Sequence, residues 1–375
     1  MTADDAPVLH EGPLRVLALV TDAFGGRGGI AQFNRFLLQA LSRHPAVALR
    51  AMALTGDDRA AHPSEMTWSV PRNGKKVSFS GAAAAAAIRN PPHVLISGIV
   101  GFGPLAGALA AVSRARLVSI VHGVEAWTPG NAIDAFALRR SALVLAVSRI
   151  TIDRLRSWSR IPEERFELLP NATDLSRFSP GPRPRELAGE LRIGDADSVL
   201  LTVGRLSSAE GYKGHDRVIR VLSRVAESRP NVRYVISGDG DDRPRLEMLA
   251  RSCGVADRVI FLGHVPDTMI PDLYRLADVF VMPSTGEGFG IVFLEAMASG
   301  CPVIAGNRDG SVEAVSGAER GWMIDPDSPE QLCGAIIAAL EAGRFQDRAV
   351  GGVEAFSYER FQERVHWIVD NRLGR

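Results

Sequence analysis

The chain has 375 residues, more than a single hydrophobic core usually supports, so two domains are expected. Its 43 Lys+Arg are matched by 43 Asp+Glu, a balance that excludes a nucleic-acid-binding footprint. Cys253, Cys301 and Cys333 are too few and too scattered for a disulfide framework or a zinc site, and favour a reducing compartment.

No succession of charged, apolar and small residues precedes the first strand, which argues against export. Residues 1–180 carry 20 Lys+Arg against 14 Asp+Glu, a bias that suits an anionic partner or a bilayer surface as well as an ordinary solvated face. The expected location is the cytoplasm, with peripheral contact to the inner face of the plasma membrane. The first strand, RVLALVTD (15–22), leads into a glycine-rich turn that opens a helix. Its spacing does not fit GxGxxG, and Gly28 and Gly29 serve either close packing or a phosphate contact. Ala82–Ala87 reads as helix. Residues 94–113 are uncharged over about the length of a membrane span, yet Gly98, Gly101, Gly103, Pro104 and Gly107 break them where a strand hands over to a helix. LVSIVHG (117–123) ends on His122, and LVLAVS (143–148) follows as the next strand.

The segment LLPNATDLSRFSPGPRPRELAG (168–189) has four prolines and little periodicity, the signature of a linker. The expected domains are therefore 1–178, a linker at 179–196, 197–350, and a C-terminal helix in 351–375 that packs back across the linker. Beyond the linker SVLLTVGR, VRYVISGDG, RVIFLGH, VFVMPS and CPVIAG repeat the pattern of short apolar run, Gly-containing turn and helix. Continuous Val/Ile/Leu runs alternating with helices mark strands buried on both faces. The expected fold class is α/β, two doubly wound Rossmann-like domains facing across a cleft.

The chemistry-bearing residues gather at strand ends. After VFVMPS comes EGFGIVFLEAM (287–297), with a helix expected to begin near Gly290, so the amides of Phe289, Gly290 and Ile291 are free to meet a phosphate. Glu287 lies in the loop before it. Glu295 is the one charge on a helix otherwise apolar all round, and such a carboxylate needs hydrogen-bond donors, whether a local partner or a ribose diol. In GRLSSAEGYKGHD, Arg205 and Lys213 bracket a loop at the end of SVLLTVGR. Lys213 is one of three lysines in the chain, which otherwise uses arginine. Arginine suits two-pronged contacts, whereas lysine serves as a point charge at a phosphate. Fixed cations of this kind stabilise a leaving diphosphate; a lone surface lysine is the plainer alternative. A strand-end histidine such as His122 is structural when taken alone and functional when grouped with these signals.

Together these motifs resemble the retaining, GT-B-fold enzymes of glycosyltransferase family 4. Glu287 and Glu295 with seven residues between them match that family's hallmark, GRLSSAEGYKGHD its diphosphate loop, and VHGVEAW its first domain. The resemblance spans roughly residues 14–345 and implies a metal-independent, retaining hexosyltransferase of cell-surface glycan synthesis. By it, Arg205 and Lys213 hold the donor diphosphate, Glu295 the ribose and Glu287 the sugar hydroxyls. Phe289, Gly290 and Ile291 contribute amides, Val265 and Gly238 border the base, Gly28 and Gly29 approach the phosphate, and His122 acts as the catalytic histidine. It implies no cofactor and no metal, a nucleotide-diphosphate sugar as partner (GDP-mannose ahead of a UDP-sugar), and a lipid-linked or polysaccharide acceptor. Gly306–Ala314 depart from the Gly-Gly-x-x-Glu run common there, in a segment expected to border the cleft. A sugar-nucleotide epimerase, a non-catalytic sugar-nucleotide-binding protein and a metal-dependent GT-A transferase using Asp239 and Asp241 are the rival readings.

Overall fold

The computed structural model describes residues 12–57, 60–71, 76–346 and 352–374. The reading of the N-terminus thus falls partly outside the described residues. The chain divides into two compact units; the first runs to Ala172 and regains the chain at Tyr358, and the second is Thr173–Ser357.

In the first unit the elements are β1 (Leu14–Val20), α1 (Gly29–Ser42), β2 (Val47–Ala53), β3 (Thr67–Ser69), α2 (Lys76–Arg89), β4 (Val94–Ser97) and α3 (Gly103–Ser113). They continue with β5 (Arg116–Val121), α4 (Val124–Trp127), α5 (Ala132–Arg139), β6 (Leu143–Ala146), α6 (Arg149–Ser159) and β7 (Phe166–Leu168). The second unit holds α7 (Arg185–Glu190), β8 (Ser198–Val203), α8 (His215–Ser228), β9 (Val232–Ser237), α9 (Arg243–Ser252), β10 (Val259–Gly263) and α10 (Ile270–Leu276). It closes with β11 (Val279–Met282), α11 (Ile291–Ala298), β12 (Val303–Gly306), α12 (Ser311–Val315), β13 (Gly321–Ile324) and α13 (Pro329–Ala342), after which α14 (Tyr358–Ile368) returns to the first unit.

Both sheets are parallel, ordered β3-β2-β1-β4-β5-β6-β7 and β10-β9-β8-β11-β12-β13. Each is the doubly wound arrangement expected. In each the winding reverses beside the first strand, between β1 and β4 and between β8 and β11, and the crevice outside the carboxyl ends at such a point is where α/β sheets bind ligands. The cores follow the apolar runs: Leu200, Val218, Leu222, Tyr234 and Ile304 are fully buried in the second unit, and Leu17, Leu19 and Leu95 in the first.

Residues 94–113 form β4 and α3 with a short 3-10 turn between them, and among the described residues no helix is long and apolar enough to cross a membrane. The expected linker at 179–196 is corrected: the division falls at Ala172/Thr173, and these residues belong to the second unit. The physical reason is anchorage. Phe178, Leu187, Ala188 and Ile193 are buried, Arg183 pairs with Asp278 at 2.7 Å, and the Arg275 guanidinium donates to the Ser179 carbonyl at 3.1 Å. α14 lies against α1, burying Phe361, Val365 and Ile368, with the Phe33 and Phe361 rings edge to face at 5.5 Å.

Candidate active site

In the second unit the loops leaving β8 and β11 meet. The Tyr212 carbonyl accepts from the Thr285 amide at 3.0 Å, and glycines make the approach possible. A Cβ on Gly214 would stand 2.6 Å from the Pro283 carbonyl oxygen, and one on Gly286 would stand 2.6 Å from the Tyr212 ring. This closure carries Lys213 onto Glu287, with Nζ donating to Oε1 at 2.6 Å. A further carboxylate, Glu210, faces the same ammonium at 3.6 Å, near enough for charge attraction and too far for a hydrogen bond, and it also pairs with Arg205. Burial alone would lower the Lys213 pKa, but Glu287, then Tyr212 and Glu210, outweigh it and the net shift is upward, so the lysine is a fixed cation. Burial likewise pushes the Tyr212 hydroxyl up to about 12. Arg205 remains largely exposed, its side chain 79% accessible, available to an incoming anion.

The helix expected near Gly290 begins at Ile291, with Gly290 as its left-handed cap at φ 86°. The Phe293 amide donates to the Gly290 carbonyl at 3.1 Å, while the amides of Ile291 and Val292 ahead of it have no intrahelical acceptor. Phe289 is fully buried against Phe356, which fixes the turn. Glu295 accepts from the Tyr274 hydroxyl at 2.9 Å, a local partner that the sequence did not identify. Burial pushes its pKa up to about 7, partly opposed by the Tyr274 hydrogen bond and the Arg177 charge. Against an ordinary carboxylate at 4.5, the stability this group contributes is present below about pH 4.5 and is lost as pH rises through about 7. A diol donating to the carboxylate favours the ionised form. If Glu295 holds a ribose diol, as the resemblance implies, nucleotide-sugar affinity should rise with pH up to about 7 and then level off, while Glu295→Gln should flatten the profile. Titration calorimetry between pH 5 and 8 on both chains checks this.

Gly238 and Val265 follow β9 and β10. Gly238, at φ 144°, has a packing reason to be glycine, because a Cβ there would lie 1.8 Å from the Gly204 carbonyl oxygen. Val265 is half-buried. Asp241 accepts from both the amide and the hydroxyl of Ser208, so it braces the loop that carries Arg205 and Lys213, and among the described residues no group of three or more possible metal ligands is present. A groove of about 650 Å³ lined by Pro180–Arg185, Asp272 and Arg275 contains none of the residues singled out from sequence.

In the first unit His122 follows β5, and its Nε2 lies 2.9 Å from the Gly98 carbonyl at the end of β4, beside the point where the winding reverses. Its ring stands edge to face on Phe33 at 5.0 Å, and its backbone amide donates to Glu125. Burial lowers its pKa, with Glu125 and the Gly98 bond opposing, so the ring is neutral near pH 7. With Nε2–H given to Gly98, Nδ1 is left as an acceptor. Gly28, at φ 86°, caps α1, and a Cβ there would meet nothing within 4 Å. Space alone therefore does not require glycine at 28; the positive φ does, and Gly29 begins the helix.

Both units are Rossmann-like α/β folds, and past the carboxyl ends of β8 and β11 lie two cations, a helix start and two glutamates, Glu287 in the loop after β11 and Glu295 on α11. The glycosyl transferases group 1 pattern matches residues 185–351, and that of glycosyltransferase family 4 matches residues 27–177. The chain is 32% identical over 357 residues to a GDP-mannose-dependent alpha-(1-6)-phosphatidylinositol monomannoside mannosyltransferase of Mycobacterium tuberculosis, covering 90% of this chain and 91% of that one. The enzyme of the same description in Mycolicibacterium smegmatis is 32% identical over 338 residues, covering 87% and 76%. In fold the chain is similar to Anabaena HepE, solved with UDP and glucose, at TM-score 0.75 and 19% identity, covering 95% and 99%. The chain belongs to glycosyltransferase family 4, with the GT-B fold.

Proposed function

We propose that this chain is a retaining mannosyltransferase that moves mannose from GDP-mannose to a lipid-linked mannoside acceptor in cell-surface glycan synthesis. The observation that carries the reaction class is the charge cluster at the carboxyl ends of β8 and β11, where Arg205, Lys213 and the start of α11 supply positive potential and Glu287 and Glu295 supply acceptors for hydroxyls. The 32% identity to GDP-mannose-dependent enzymes supports the sugar, the base and the lipid acceptor. Arg205 and Lys213 stabilise the diphosphate as the glycosidic bond breaks, because charge develops on the leaving oxygen. That phosphate takes the acceptor proton on the same face, so no protein nucleophile is required. His122 Nδ1 accepts from a sugar hydroxyl, Glu295 holds the ribose, and Val265 and Gly238 border the base. A lipid acceptor brings the enzyme to the bilayer surface as a peripheral protein, and the basic bias of residues 1–180 favours an anionic one.

Thermal shift with GDP-, UDP- and ADP-sugars tests the donor. A ligand at about 100 times its Kd adds about 2.7 kcal/mol, so GDP-mannose should raise the melting point most. A larger rise with a UDP-sugar would overturn the GDP assignment. Because cations serve the diphosphate, turnover should survive excess EDTA; loss on chelation with recovery on adding manganese would contradict this.

A further inference from the structure

The loop after β12 carries Asp309 and Gly310. Asp309 is fully buried and uses both carboxylate oxygens. Oδ2 accepts from the Glu287 amide at 2.8 Å and the Ser284 hydroxyl at 2.7 Å. Oδ1 accepts from the Ser311 amide at 3.0 Å and the Ser311 hydroxyl at 2.5 Å. The next residue grips the same turn from its other side: the Gly310 amide donates to the Glu287 carbonyl at 2.8 Å. A Cβ on Gly310 would stand 1.9 Å from the Gly288 carbonyl oxygen, so the two backbones are in direct contact.

We infer that Asp309 is a positioning residue, which fixes the turn carrying Glu287 so that its carboxylate meets Lys213 and the donor sugar. Glu287 is held at its amide and its carbonyl by consecutive residues of the loop after β12, and at its carboxylate by Lys213. The turn has little freedom left. A charged acceptor with four donors on it, shielded from water, forms stronger bonds than neutral pairs, which suits it to hold a loop to a fraction of an ångström. Asn at 309 offers one acceptor oxygen where two backbone amides need one each, so in either orientation an NH2 faces the Glu287 or the Ser311 amide. Asp309 thus supplies by a side chain a hold on the Glu287 turn.

The inference rests on the proposed donor role of Glu287, and the test separates the two. Calorimetry measures GDP and GDP-mannose binding to the natural chain, to Asp309→Asn and to Ser284→Ala, with melting points and kcat in parallel. In Asp309→Asn the GDP affinity should stay within about threefold, while the extra affinity contributed by the sugar, and kcat at saturating donor, fall by about tenfold. Ser284→Ala, which removes one donor from the oxygen that holds Glu287, should give the same selective loss at about threefold. Equal loss for GDP and GDP-mannose, or no loss for either, overturns the inference. If Asp309→Asn does not fold, Ser284→Ala alone decides on the same criterion. A natural chain that binds GDP-mannose no more tightly than GDP refutes the reading of Glu287, and the inference with it.

Discussion

Lys213→Ala should lower turnover a few hundredfold, with a smaller loss of donor affinity. In the proposed donor complex the diphosphate charge is shared among Arg205, Lys213 and the amides at the start of α11, but as the sugar leaves, a further charge grows on the departing oxygen. An ammonium that meets it is bound more tightly in the transition state than in the ground state. Removing one such contact costs about 3–4 kcal/mol. The structure adds a second consequence. Lys213 is the counter-ion of Glu287, 2.6 Å away, and faces Glu210 at 3.6 Å, so alanine leaves two carboxylates turned toward an anionic substrate. Some rise in KM therefore accompanies the fall in kcat. Lys213→Arg should recover part of the activity only, because the planar guanidinium does not fit the space of the ammonium beside Glu287. Steady-state kinetics with donor affinities on both variants check this, and near-normal turnover in Lys213→Ala would contradict it.

Gly238→Ala should destabilise the second unit by about 3 kcal/mol or more. The methyl would stand 1.8 Å from the Gly204 carbonyl oxygen, backbone against backbone, at a φ of 144° that side chains avoid. Overpacking of this kind costs about 1–3 kcal/mol and positive-φ strain adds about 1–2. The β8 and β9 ends must then part, and with them the loop carrying Arg205, since Leu206 donates its amide to the Asp239 carbonyl at 3.0 Å. Denaturant unfolding should show a lower midpoint; an unchanged one would mean that the two loops separate at no cost.

Of the nine strands anticipated from apolar runs, all but the half-buried edge strand β10 are largely buried, so that sequence and burial coincide. Four others were not anticipated. β2 (VALRAMA) is interrupted by Arg50, whose guanidinium reaches the Ala86 carbonyl at the end of α2 at 2.9 Å. β3, β7 and β13 are sheet edges of three or four residues, too short for a continuous apolar run, and in β7 the buried Glu167 breaks it. The residues of the candidate site were legible because unusual chemistry stood at strand ends: a rare lysine, a charge on an apolar helix, a histidine after a strand. Their partners were not. Tyr274 lies 21 residues before Glu295, and Glu210 drew no role although it stands within the loop whose cations it pairs. Such partners depend on which loops the fold brings together, which local spacing does not encode.

The central claim is mannosyl transfer with retention. Its most direct measurement is incubation of the chain with GDP-mannose and a phosphatidylinositol-linked mannoside, followed by NMR assignment of the new glycosidic bond. The predicted result is one added mannose whose anomeric configuration equals that of the donor; no transfer from any nucleotide sugar, or a product of inverted configuration, would contradict it.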